Sequence, residues 1–206
     1  REAMRMADIV KEMLLASRQA FSSTEFESVK RVSKRDDDLD FLYSAIHSFL
    51  SRIDHGALTQ EEAHRISQII ALSINLEHVG DIIDSNLMQI AANRIENQIE
   101  LSQRDLALVE TMLSRLGEDL QLAMAVFMQG DLRAARQLVS KKEEFRDVER
   151  EARQRHLDLM RAGRFDDVKV SALLIDITRD LKRIEAHIAA IAYGLLEERG
   201  QLRLTR

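Results

Sequence analysis

Three carboxylates in the segment Leu76-Glu77-His78-Val79-Gly80-Asp81-Ile82-Ile83-Asp84 are spaced by four and then three residues. On an α-helix Glu77, Asp81 and Asp84 fall within about 60° of one another, on a single stripe. That stripe lies beside the apolar positions Leu76, Gly80, Ile83 and Leu87 rather than opposite them. Carboxylates placed there repel one another and lose hydration unless cations offset them. A second acidic stripe occurs earlier in the chain. Asp36 and Asp40 are one helical turn apart, and Tyr43 and His47 continue the same face. If the two stripes face each other, their carboxylates and a histidine converge. Such a set is rich in hard oxygen ligands and free of sulfur, which suits a divalent or ferric ion such as Mg²⁺, Mn²⁺, Ca²⁺ or iron, with zinc as a further member. The alternative reading is that these acids are solvated and balanced by neighbouring Arg and Lys. Gly80, which inside a helix costs about 1 kcal/mol relative to Ala, suggests that another backbone approaches closely there.

Other chemistries find little support. The segment Glu61-Glu62-Ala63-His64 has one Glu-x-x-His spacing of the kind used in di-iron bundles, but it has no second copy and sits where a helix start wants Glu. The chain has no cysteine, so thiol catalysis, thiolate metal sites and disulfides are excluded. Its seven glycines are isolated, so phosphate-loop and dinucleotide fingerprints are absent. A net charge of −5 is a poor match to a phosphate backbone, and nucleic acid is not an expected partner. No apolar run approaches the roughly twenty residues needed to span a bilayer. These features point to a binding and coupling protein, not an enzyme.

Long helices must position the acids. The 206 residues contain no proline, 45% hydrophobic residues and only 4% aromatics, the composition of uninterrupted amphipathic helices with aliphatic seams. A first helix is predicted from about Glu2 to Phe21. Ser22-Ser23-Thr24 offers a cap for a second, which carries Leu39, Leu42, Ile46, Phe49 and Ile53 and stops at Asp54-His55-Gly56. Thr59 to Glu62 reads as a capping box opening the third, whose apolar positions alternate at three and four as far as Ile90. Ser102 with Asp105 caps a fourth helix ending near Gly130. Asp131 caps a fifth ending at Ala162-Gly163-Arg164, and a sixth runs from about Asp166 to Glu198. Short connections make neighbours antiparallel.

The order of caps, turns and acids recurs, so the chain reads as an internal duplication. Val32-Ser33-Lys34-Arg35-Asp36-Asp37 corresponds to Val139-Ser140-Lys141-Lys142-Glu143-Glu144, and Ile74 to Asp81 corresponds to Arg179 to Ala186. The expected architecture is all-α, six long helices as two tandem three-helix bundles, residues 1–98 and 99–206.

The acidic segment resembles the PhoU-like family, whose repeated motif is an ExxxD in a context such as L-E-R-I-G-D-H. Leu76-Glu77-His78-Val79-Gly80-Asp81 is similar at all but the third position, and Asp36 to Leu42 looks like the acidic partner on the preceding helix. The resemblance covers essentially the whole chain. It implies metal binding at Glu77 and Asp81, with Asp36 and Asp40 opposite and Asp84 beside them. The second copy departs: Leu181-Lys182-Arg183-Ile184-Glu185-Ala186-His187 places Lys182 and Ala186 where the acids belong. No second metal site is expected there, and the Lys182 ammonium is expected to stand in for the cation against Glu143 or Asp147.

Family members occur as free-standing regulators of phosphate uptake or as domains fused to Na⁺/phosphate cotransporter-like membrane proteins. The start at Arg1 and the degenerate second motif favour the fused setting. The resemblance then implies a regulatory domain at the cytoplasmic face of the inner membrane, partnered by the membrane-embedded transporter segment of the same full-length chain. Homodimerisation is a further expectation. A stand-alone regulator of phosphate uptake and signalling is the alternative, and a metal-free helical interaction module is another.

Overall fold

The computed structural model describes residues 1–54, 56 and 58–198. His55 of the expected stop signal, and residues 199–206 of the expected second bundle, lie outside the described residues. The described chain is helical throughout and forms no strand. The first half holds α1 (Glu2–Ser22), α2 (Phe26–Leu50) and α3 (Gln60–Asp81), which continues through a π-helical segment, Ile82–Met88, into α4 (Gln89–Glu96). The second half holds α5 (Gln103–Gln129), α6 (Leu132–Ser140), α7 (Lys142–Arg161) and α8 (Phe165–Glu198). Taking α3 to α4 as one rod and α6 to α7 as another, six rods form the expected all-α architecture.

Local chemistry explains most of the ends. Thr59 Oγ1 accepts from Glu62 N–H, while the Glu62 carboxylate accepts from Thr59 N–H at 2.9 Å, completing the capping box. Ser102 Oγ accepts from Asp105 N–H. The Asp131 carboxylate accepts from the backbone of Arg133 and Ala134 at 2.8 and 3.1 Å. Gly130 closes α5 at φ +63°, a conformation that glycine adopts without strain. Two ends differ from expectation. Ser23 binds Glu25 N–H at 3.0 Å, yet Glu25 is the N-cap of α2 and no side chain caps it. The rod opened by Asp131 breaks at Lys141.

The core is one continuous cluster. Met6, Val10 and Met13 of α1 meet Leu39 and Leu42 of α2 and Leu76 and Val79 of α3. Leu113, Leu116 and Leu120 of α5 meet Phe145 of α7 and Leu181, Ile184 and Ile188 of α8. Helices α1 and α5 pack together, as do α3 and α8, and join the halves. Each fully buried aliphatic chain contributes about 1.5–3 kcal/mol of transfer free energy, so this seam holds the acidic helices in register.

At Gly80 it is side chains of α2, and not its backbone as expected, that come close to α3. A Cβ added at Gly80 would lie 2.3 Å from Leu39 Cδ2 and 2.7 Å from Asp36 Oδ1, whereas one at Gly117 of α5 would meet nothing within 4 Å. Gly80→Ala should therefore lower stability by about 1–3 kcal/mol through overpacking. Gly117→Ala should raise it by about 0.5–1 kcal/mol through helix propensity. Urea denaturation of both variants checks the contrast, and equal behaviour would contradict the close approach.

Candidate metal centre

The carboxylates of Asp36, Asp40 and Asp81 each offer one oxygen, and these oxygens lie within 4.8 Å of one another. Asp36 and Asp40 come from successive turns of α2, and Asp81 ends α3. Gly80, one residue earlier, removes the side chain that would hold the helices apart. Asp36 Oδ1 is buried and has no hydrogen-bond partner. A buried, unpartnered carboxylate oxygen is costly unless the group is protonated or a cation supplies the missing contact. Among the described residues, no Lys or Arg forms an ion pair with these three acids. The nearby Arg35 turns away to Glu12 and Asp38, at 3.0 and 3.2 Å.

Electrostatics record the crowding. Burial pushes the Asp36 carboxyl up to about 7, helped by the charges of Asp84, Asp40, Asp81 and Asp37. Asp40 is raised by burial and then by Asp81, Asp37 and Asp84. Glu77 is raised by burial and Asp81, against a lowering effect of His78. The donor set therefore fits a hard cation. Three carboxylate oxygens lie within 4.8 Å of one another, with Asp40 and Asp81 on the exposed side and one oxygen of Asp36 desolvated in advance.

The other two predicted ligands flank this centre. Glu77 sits one turn before Asp81, with Oε2 3.7 Å from His78 Nε2. Asp84 lies on the π-helical segment, where its Oδ1 accepts the Ser33 hydroxyl of α2. The wider π turn advances the chain through less rotation per residue than an α turn, so Asp84 departs from the stripe that α-helical spacing predicts. Its charge still bears on Asp36. Tyr43 and His47 continue the α2 face, with rings 4.3 Å apart and His47 Nε2 3.2 Å from Ser73 Oγ.

The second half handles its acids differently. Lys182 pairs with an acid of α7, but that acid is Glu149, not Glu143 or Asp147. Glu149 is nearly buried and also accepts from Arg153. Glu143 and Asp147 pair instead with Arg146 and Arg150, each one turn on along α7. Glu185 stands where the first half has Gly80. Its carboxyl is buried with both oxygens unpartnered and is pushed up to about 7, chiefly by burial. Asp119 of α5 is buried too and is held by Lys141 at 2.8 Å. Sequence reasoning missed Glu185 and Asp119 because each depends on which core position its helix presents. In the Glu-x-x-His of α3, Glu61 to His64, the neighbouring Glu62 caps the helix at Thr59, and His64 Nε2 lies 2.8 Å from Gln68.

The PhoU domain family matches residues 3–90 and 109–194. The chain belongs to the PhoU family. The fold agrees. PhoU from Pseudomonas aeruginosa superimposes with a TM-score of 0.81 over 97% of this chain and 94% of that one, at 19% identity. The chain is also 30% identical, over 98% of its length, to "Putative inorganic phosphate export protein YjbB" of Salmonella typhimurium. It is 29% identical, over 96% of its length, to the protein of the same name in Escherichia coli K12. It spans 37% and 36% of the lengths of those relatives. Among the described residues of this PhoU domain, no helix is long and apolar enough to cross a membrane.

The raised Asp36 carboxyl carries a sign for stability. Without metal, folded Asp36 keeps its proton up to about pH 7, whereas the unfolded chain releases it near the ordinary carboxylate value. Between these limits the folded state binds more protons, so metal-free stability falls as pH rises from about 4 to about 7. Asp36→Asn should flatten that slope in thermal melts, although Glu185 leaves a residual slope of the same sign. Saturating Mn²⁺ should raise the melting temperature at pH 7.5 and not at pH 5. An identical slope in wild type and Asp36→Asn would contradict the assignment.

Proposed function

We propose that this chain is a regulatory domain of a phosphate-transporting membrane protein of the Na⁺/phosphate symporter type. A cation held by Asp36, Asp40 and Asp81 fixes the packing of α2 against α3, and the packed surface couples to the transporter. The observation that carries this reading is the buried, unpartnered oxygen of Asp36 at the convergence of three acids from two helices. Such an arrangement tightens the contact between the two helices when a cation is present and loosens it when the acids ionise without one. Glu77 and Asp84 complete the negative surround. The coupling is conformational, since a cation that binds one arrangement of α2 and α3 better shifts the domain toward it.

The phosphate assignment is supported by family membership and by the names of the relatives, each of which has a further part beyond the share this chain spans. The proposed partner is a membrane-embedded transporter segment in the same full-length protein, with the domain at the cytoplasmic face of the inner membrane. Phe41 and Phe49, 73% and 66% exposed on α2, offer apolar surface on the same helix as two of the ligands. A movement of α2 would be presented there to a partner, whether the transporter segment or a second copy of the chain. Family membership fits a second reading as well, a free-standing PhoU-type regulator acting on a separate transporter.

The test uses the full-length protein in cells or proteoliposomes. Asp36→Ala/Asp81→Ala should alter phosphate flux, or its response to phosphate and to Mn²⁺, at an unchanged protein level. If deleting the whole domain leaves both flux and its control unchanged, the regulatory reading is wrong, whatever the metal content.

A further inference from the structure

Glu185 of α8 is fully buried, and neither of its carboxyl oxygens has a hydrogen-bond partner. A bare charge in that position is costly, so burial holds the proton on. Lys142 and Arg146 of α7 favour the charged form, while Asp119 of α5 and Glu143 of α7 oppose it. The other elements packed against α8 turn their charges elsewhere. Helix α6 buries Ala134, Ala135 and Leu138 and no charged group. Asn75 and His78 of α3 meet His187. Asp84 of the π-helical segment is taken by Ser33, and Arg94 of α4 by the Ser23 carbonyl. On α8 itself, Asp180 is held by Arg179 and Arg183, and Lys182 by Glu149.

The cations near Glu185 are committed, with one exception. Lys141, at the break between α6 and α7, holds Asp119 at 2.8 Å. Arg146 pairs with Glu143 at 2.6 Å. Lys142, the first residue of α7, forms no ion pair among the described residues. Its ammonium donates to the Tyr193 hydroxyl at 3.1 Å and lies 5.6 Å from the centre of that ring. Tyr193 follows Glu185 by about two turns of α8, and helix side chains slope toward the N-terminus, so the ring leans back toward the acid. The flexible stem of a lysine lets its ammonium change partners without moving the backbone.

We propose that Glu185, Lys142 and Tyr193 form a proton-linked latch at the joint between α6 and α7. With Glu185 protonated, Lys142 rests on Tyr193, the arrangement seen here. When the proton passes to solvent, Lys142 turns from the phenol to the carboxylate and ties the start of α7 to the middle of α8. The exchange is driven by the cost of leaving an ionised, buried carboxylate without a partner. Its trigger is separate from the carboxylate centre, whose acids lie between α2 and α3.

The chain has two tyrosines, at positions 43 and 193, and no tryptophan, so the emission of a Tyr43→Phe protein reports on Tyr193 alone. Followed from about pH 5 to about pH 9, that emission should show a step near pH 7 as Lys142 leaves the hydroxyl. Adding Glu185→Gln should abolish the step, because the titrating group is gone. Adding Lys142→Met should abolish it too. In that variant the ¹³C carboxyl signal of Glu185 should still titrate, and at a higher pH than with Lys142 present, since an attracting charge has been lost. Lys142 is only partly buried, so its variant keeps the result readable if Glu185→Gln disturbs the core. A flat emission in Tyr43→Phe, a step that persists in Glu185→Gln, or a Glu185 carboxyl that titrates at the ordinary glutamate value of about 4.3 would overturn the latch. None of these outcomes bears on metal binding by Asp36, Asp40 and Asp81.

Discussion

The close approach of α2 to α3 at Gly80 is the constraint on which the candidate centre depends. It brings Leu39 and Asp36 to the space that any larger side chain at position 80 would fill. The apolar contacts of Leu39, Leu42, Leu76 and Val79 drive the helices together, and the carboxylate of Asp36 is carried inward with them. Hydrophobic packing of this extent outweighs the cost of one desolvated acid. The acid therefore stays at a point where its charge meets those of Asp40, Asp81 and Asp84. A protein can relieve such a cluster by protonation, by its own cations or by an exogenous one. The first half has no Lys or Arg aimed at the three acids among the described residues, which leaves protons and metal ions to compete for the same oxygens.

The second half shows the other solution on the same frame. Lys182 and Arg153 converge on Glu149, and Lys141 holds Asp119. These neutralising groups are covalently part of the chain, so the α7–α8 contact does not depend on an external ion. The two halves thus differ in how they treat their acids: one gathers three carboxylates with no basic partner among the described residues, and the other pairs Glu149 and Asp119 with lysines of its own. The halves meet where α1 packs against α5 and α3 against α8, and close-packed interfaces of this kind transmit strain.

Much of this was legible in the sequence because it is local. The three- and four-residue spacing of aliphatic residues, the Thr59–Glu62 box, Asp131 and the glycines at 130 and 163 mark helices and their ends without knowledge of partners. The pairing of the Asp36–Asp40 stripe with Asp81 was also readable, since both stripes adjoin their helices' buried faces. What was not legible is either cooperative or long-range. The π-helical segment after Asp81 answers to packing on several sides, and it carries Asp84 to Ser33. The break at Lys141 accompanies the turn of that side chain onto buried Asp119. Glu149 as the partner of Lys182, and His78 meeting His187 across 109 positions, follow from how the rods dock and leave no mark in local spacing.

Anomalous diffraction from crystals grown with Mn²⁺ would test the central claim most directly. A manganese peak is expected between α2 and α3, bonded to oxygens of Asp36, Asp40 and Asp81 and lost in Asp36→Asn/Asp81→Asn. A manganese-soaked crystal with no peak there, and with Asp36 hydrogen-bonded only to protein or water, would contradict it.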